Sequence, residues 1–119
     1  MWTVEGKTLV KQTMEMTTLC QLENLSVDLI LIRPDAKKEP VLHRECDEFL
    51  YILEGSLDIL INGKIQRYDA GCYCQLPKGT VHGSINRSGK DVKMLAICSP
   101  AYKREYEHSA KEEGIDYEL

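Results

Sequence analysis

The sequence predicts an all-β protein, an antiparallel sandwich or barrel, and three observations carry that prediction. Short apolar or alternating runs recur along the chain, with turn signals every eight to twelve residues or so, at about the spacing that sandwiches and barrels show. Asn62-Gly63 separates S-L-D-I-L-I from K-I-Q-R-Y, and it is a strong hairpin signal because a type I′ turn needs φ > 0 at both central residues. The stretch Gly71 to Asn86, G-C-Y-C-Q-L-P-K-G-T-V-H-G-S-I-N, reads as strand, tight turn, strand. Pro77 fixes φ in that turn, and Gly79 is free to take φ > 0.

In chain order, residues 1–14 are weakly patterned and suit an edge strand with a turn at Gly6-Lys7. Met16 to Leu22 has room for one strand, Glu23-Asn24 marks a turn, and Leu25 to Arg33 is a strand packed on the core. Residues 34–40 form a charged loop with Pro34 and Pro40 at its ends. Val41 to Glu45 and Glu48 to Leu53 are paired runs about a turn at Cys46-Asp47. Glu54-Gly55 bends into Ser56 to Ile61, and Lys64 to Tyr68 returns after the hairpin. Asp91 to Ser99 is a final apolar strand, stopped by Pro100. From Ala101 to Glu113 the residues favour a short helix with i,i+4 charge pairs, and Gly114 stops it.

The 119 residues fit one domain with its own core. A hydrophobic share of 43% and a charged share of 29% are those of a soluble globular chain. The net charge of −4 and pI near 5.4 argue against nucleic acid or an anionic membrane surface as partner. The five cysteines have no framework spacing, which favours reduced thiols in a cytosolic protein. Cys72-x-Cys74 places two thiols on one strand face, as a metal or redox pair or as simple packing. No apolar run approaches the ~20 residues of a membrane span, and M-W-T-V-E-G-K lacks a signal pattern. The expected location is cytoplasmic.

The Gly71–Asn86 stretch fits G-x5-P-x-G-x2-H-x3-N at Gly71, Pro77, Gly79, His82 and Asn86. It resembles the second signature motif of the cupin superfamily. The first motif of that family, H-x-H-x(3,4)-E-x6-G, has its counterpart in V-L-H-R-E-C-D-E-F-L-Y-I-L-E-G at residues 41–55, with His43, Glu48 and Gly55 in place and Val41 where the first His would stand. The resemblance covers roughly residues 25–99 and implies an antiparallel double-sheet jelly-roll barrel, as a single cupin domain over residues 1–119 with a helical tail at about 101–113.

The resemblance also implies that His43, Glu48 and His82 point inward near one end of the barrel as ligands of a divalent metal ion, whether iron, manganese, zinc or nickel. Two imidazoles and one carboxylate make a facial triad with open positions, and suit zinc equally well. Against this stands the view of His43 and His82 as histidines left over from a lost site, with Val41 making that corner apolar. Yet a buried Glu48 without a partner would cost several kcal/mol or become neutral. Glu45, on the strand face of His43, is placed at the rim or behind the ligands. Cys46 and His108 are read as solvent-side or structural. Family-like alternation makes Tyr51, Gln75 and Tyr73 candidates to contact a small ligand, though cross-strand packing explains them as well. Arg44 and Lys78 would favour a phosphorylated substrate or be solvated rim charges.

For function, the resemblance implies a metal-dependent enzyme of dioxygenase or isomerase type on a small polar molecule, with His82 and Glu48 as its catalytic residues. The alternatives are a metal-free acid–base epimerase-like enzyme using a His and Glu48, or a binding module without turnover. A homodimer is expected from the family's habit of pairing sheets or exchanging an N-terminal strand, with Trp2 as a packing or dimer-contact residue.

Overall fold

The computed structural model describes residues 3–5, 8–11 and 13–119, with backbone alone up to residue 11. Trp2 and the Gly6-Lys7 turn lie outside the described residues. Among the described residues, twelve strands form two antiparallel sheets. The first sheet contains β1 (Thr3–Glu5), β2 (Thr8–Lys11), β3 (Met14–Gln21), β4 (Ser26–Ile32), β11 (Val92–Ser99), β6 (Asp47–Glu54) and β9 (Tyr73–Leu76), in that spatial order. The second runs β12 (Glu107–Ser109), β5 (Lys37–His43), β10 (His82–Ile85), β7 (Ser56–Ile61) and β8 (Lys64–Asp69). The hydrogen-bond ladders do not run from one sheet into the other, so the jelly roll is two facing sheets and not a closed barrel.

Alternation builds the core between them. Leu50 and Ile52 of β6, Met94 and Ala96 of β11, and Leu57 and Ile59 of β7 turn inward and are buried together with Ile32, Leu76 and Val92. The opposite face of the first sheet is also apolar. Tyr51, Leu95 and Leu29 form one cross-strand row, and Phe49, Ile97 and Val27 another.

The expected strands appear with boundaries shifted by a residue or two, save in one place. The prolyl loop over residues 34–40 ends early, because β5 starts at Lys37 and carries Pro40 inside it. A strand tolerates proline where the ladder is already interrupted. The register supplies that interruption: His82 faces Val41 while Ser84 faces Lys38, so β5 has one extra residue there. Asn62 and Gly63 take φ of 47° and 89°, as the type I′ hairpin requires.

The helix expected over residues 101–113 does not form. The segment makes single 3-10 turns at Arg104–Tyr106 and Lys111–Glu113, separated by β12. Tertiary contacts override the local propensity. β12 pairs with β5, Ala110 N–H donates to the Pro40 carbonyl at 3.1 Å, and Ala110 is fully buried against Leu42, Val81 and Ile115. Gly114 does end the last turn, at φ 78°.

Candidate metal centre

Three strands deliver the three candidate ligands. His43 is the last residue of β5, Glu48 the second of β6, and His82 the first of β10. The Pro77–Gly79 turn braces them: Gly79 N–H donates to the His43 carbonyl at 2.7 Å, and Lys78 N–H donates to the Asp47 carboxylate at 2.9 Å. The hairpin tip adds a further tie, since Val81 N–H donates to the Asn62 side-chain oxygen at 3.0 Å. Turn residues far apart in sequence thus fix the ends of the ligand strands.

The potential ligand atoms of His43, Glu48 and His82 all lie within 4.8 Å of one another. His82 Nε2 stands 3.3 Å from Glu48 Oε1, and the two imidazoles meet edge to face with centroids 5.1 Å apart. His82 Nδ1 lies 3.1 Å from the Thr80 carbonyl, which can only accept, so Nδ1 carries a proton and Nε2 is turned to the cluster. A neutral His82 would then aim a lone pair at a carboxylate oxygen. A proton or a cation between them removes that repulsion. His43 is 4% exposed, and neither of its ring nitrogens has a hydrogen-bond partner. A buried imidazole without partners costs free energy unless something fills the gap. Ligand type, spacing and the orphaned nitrogens all fit a divalent first-row ion.

Burial works to raise the pKa of Glu48, but the His82 hydrogen bond and the charge of both imidazoles outweigh it and hold the carboxyl below its ordinary range. Cys98 Sγ lies 3.4 Å from Glu48 Oε2, and burial with the Glu48 charge pushes this thiol far above the usual thiol range. It serves as a neutral donor to the carboxylate.

The cluster lines a partly open cavity of about 90 Å³, room for a handful of waters or a small molecule at ~10–15 Å³ per water. Met14, Ile30, Ile32, Leu57, Ile59 and Met94 make its apolar wall. Its polar wall includes residues that the sequence reading missed: Asp28, Lys38, Ser84, Tyr102, Arg104 and Glu107. Asp28 is 4% exposed, and burial raises its pKa against the Thr18 hydrogen bond. Glu107 lies opposite His43 in the β12–β5 ladder, with Oε1 2.5 Å from Lys38 Nζ and 3.8 Å from His43 Nε2. Burial works to raise its pKa, but His43 and the Lys38 ammonium prevail and hold it at about 2. The signal for Asp28 was strand alternation; Lys38 was hidden by the loop reading of residues 34–40, and Glu107 by the helical pattern of its segment.

Several expected contacts are not made. Tyr73 and Gln75 are exposed on the outer face of β9, and Tyr51 faces outward on β6, because the inward set of these strands is Glu48, Leu50, Ile52, Cys74 and Leu76. Tyr73 stacks on Phe49 instead, at 5.5 Å between centroids. Arg44 is exposed and forms an ion pair with Glu113, away from the cavity lining. Lys78 is exposed in the turn and does not line the cavity. Glu45 sits at the rim and pairs with His108 at 3.1 Å. Val41 faces His82 across the ladder but does not line the cavity. Cys46 is buried at 1% exposure, so its structural reading fits and its solvent-side one does not. Cys74 is buried while Cys72 is exposed ahead of β9, which leaves the thiols unpaired.

The profile of the family described as "Cupin domain" matches residues 28–98, more than half of the chain. The chain belongs to the cupin family. Several solved structures superimpose on it. KdgF from Halomonas sp. aligns with a TM-score of 0.75 at 18% identity, covering 87% of this chain and 88% of that one. The polyketide cyclase RemF from Streptomyces resistomycificus gives 0.72 at 17% identity, with coverage of 88% and 74%. An RmlC-like cupin from Shewanella frigidimarina gives 0.72 at 18%, with coverage of 82% and 84%. These identities establish a shared fold. The sequence is also 28% identical over 78 residues to a protein of Myxococcus xanthus named endoribonuclease YbeY, over 66% of this cupin and 26% of that protein. The chain therefore spans about a quarter of the length of that curated relative. No described helix of this cupin is long and apolar enough to cross a membrane.

Proposed function

We propose that this cupin is a metal-dependent enzyme of isomerase or dioxygenase type, acting on a small polar molecule beside a divalent ion held by His43, Glu48 and His82. One observation carries the reading: the buried His43, with neither ring nitrogen hydrogen-bonded, clusters with His82 and Glu48, themselves 3.3 Å apart. The bound ion would supply Lewis-acid polarisation of a carbonyl or hydroxyl, or redox chemistry with dioxygen if it is iron.

The chain's own residues do the rest. Thr80 holds the His82 ring with Nε2 facing inward. The apolar wall of Ile30, Ile32, Leu57, Ile59 and Met94 keeps bulk water from the reacting end. Lys38, paired with Glu107, and Arg104 bring cationic side chains into the lining, and Asp28 adds a hydrogen-bonding group, which together suit a polar substrate.

A second reading has its own support. Glu48 and His82 are close enough to act as a metal-free acid–base pair, with a proton shared between Nε2 and Oε1. Metal content measured by plasma mass spectrometry, on protein purified without affinity tag or chelator, separates the two. Near-stoichiometric metal that is absent from Glu48→Ala and His43→Ala supports the first. An empty protein that refuses added metal refutes it and leaves acid–base chemistry. Turnover that persists in His82→Ala would sink both and leave a binding module. The protein is further proposed to act as a homodimer, which light scattering tests directly.

A further inference from the structure

The geometry points to Glu107 as a fourth metal donor, supplied by the C-terminal strand β12 in place of the imidazole that Val41 does not provide. The inference rests on the metal reading above. Two donors bound side by side to one first-row ion at ~2.0–2.2 Å stand about 3–3.5 Å apart. The His82 Nε2 to Glu48 Oε1 separation of 3.3 Å already matches; Glu107 Oε1 stands 3.8 Å from His43 Nε2 but outside the 4.8 Å cluster of the three ligands, so it reaches the ion by swinging its side chain from Lys38 toward the cluster.

Three further features support the assignment. The β12–β5 register puts Glu107 directly across from His43, so its backbone is fixed beside the cluster by the ladder. Glu107 lines the same cavity as the three motif ligands. Charge balance favours it as well. Two neutral imidazoles and one carboxylate leave a dication with an excess positive charge inside an apolar cavity, and a second carboxylate cancels it. Lys38 holds Oε1 at 2.5 Å and is itself about one-third exposed, so water can solvate its ammonium once Oε1 turns to the ion.

The test is calorimetric titration of apo-protein with Mn2+ and with Zn2+, joined to the visible spectrum of the Co2+ form. Glu107→Gln should bind each metal about 10–100-fold more weakly and change the Co2+ bands. Loss of affinity alone is ambiguous, because an unpaired Lys38 would also repel a cation. The double variant Lys38→Met with Glu107→Gln resolves this. A donor role predicts that the double variant stays weak and keeps the altered Co2+ spectrum. Recovery of wild-type affinity and spectrum in the double variant would overturn the inference, since Glu107 would then only neutralise Lys38. Unchanged binding in Glu107→Gln would overturn it as well. If β12 detaches in these variants, Glu107→Asp keeps the charge and the strand but withdraws the oxygens. Wild-type affinity and Co2+ bands in that variant would also count against a donor. Wild-type protein that binds no metal refutes the parent reading too, whereas binding that depends on Glu48 and not on Glu107 refutes this inference alone.

Discussion

Asn86 offers the sharpest quantitative test of how the cupin motif holds its site. The side chain is fully buried at the end of β10, four residues beyond His82. Its amide nitrogen lies 3.1 Å from the Ile32 carbonyl, 3.1 Å from that of Arg33 and 2.7 Å from that of Lys90. Two amide hydrogens thus serve three acceptors. Its oxygen accepts from the Ser88 backbone N–H at 3.1 Å and from the Ser88 hydroxyl at 2.7 Å. Asn86 therefore ties the end of β4 to the β10–β11 turn. Asn86→Ala leaves several buried or half-buried groups without partners, at ~1–3 kcal/mol for each group that water cannot reach. With partial hydration of the turn, the expected loss is about 3–5 kcal/mol. The assay is urea unfolding with a matched thermal scan, where each kcal/mol lowers Tm by roughly 4 °C for a domain of this size. Asn86→Asp keeps the shape but aims a carboxylate at three carbonyls, and should be at least as damaging. A loss below about 1 kcal/mol in Asn86→Ala would refute the argument, because water would then be replacing the amide without cost.

Four further expectations rest on other features of the structure. Gly83→Ala should destabilise by about 1–3 kcal/mol, since its Cβ would stand 2.8 Å from the Lys38 carbonyl oxygen and 3.2 Å from Leu119 Cδ1; urea unfolding reads the loss. Saturating metal at ~100 times its Kd should stabilise the wild type by about 2.7 kcal/mol, and thermal scans of Glu48→Ala should show no such gain. Asp28 has a folded pKa above its ordinary 3.8, so the folded state binds more protons and stability should fall as pH rises from near 3.8 to the raised value; Asp28→Asn should flatten that slope in pH-dependent unfolding. Tyr73→Ala and Arg44→Ala should leave metal affinity at the wild-type value, because neither side chain reaches the cavity, and calorimetry would expose any loss.

Much of the fold was legible because turn chemistry is local. Asn62-Gly63, Pro77-x-Gly79 and Gly71 need particular φ values, and the strands between them follow from alternation. The three candidate ligands came instead from the resemblance of the two motifs to the cupin pattern, and the structure brings their side chains together. Two features were not legible. β5 contains Pro40, which reads as a loop unless the extra residue opposite β10 is known, and that bulge is a property of the pairing. The segment 101–113 has helical composition, but its pairing with β5 and the burial of Ala110 outweigh propensity. Misreading that tail hid Tyr102, Arg104 and Glu107. Tyr51, Tyr73 and Gln75 failed for a different reason: Tyr51 stands three residues past Glu48, so alternation turns it to the opposite face, and Tyr73 and Gln75 pair across from Tyr51 and Phe49 on that same face.

The three-residue length of β12 bears on the behaviour of the protein at high concentration. A sheet edge with unpaired backbone groups recruits further strands, and short or charged edges discourage this. β12 is a cap of that kind, offering neighbouring molecules only three residues beyond β5. At the opposite edge, β8 carries Lys64, Arg67 and Asp69. If β12 came away, the β-rich stretch around Val41 and Leu42 would be bared as a sticky strand in an otherwise folded molecule. Damage to the C-terminal segment would then show itself first as concentration-dependent aggregation, ahead of any loss of the fold.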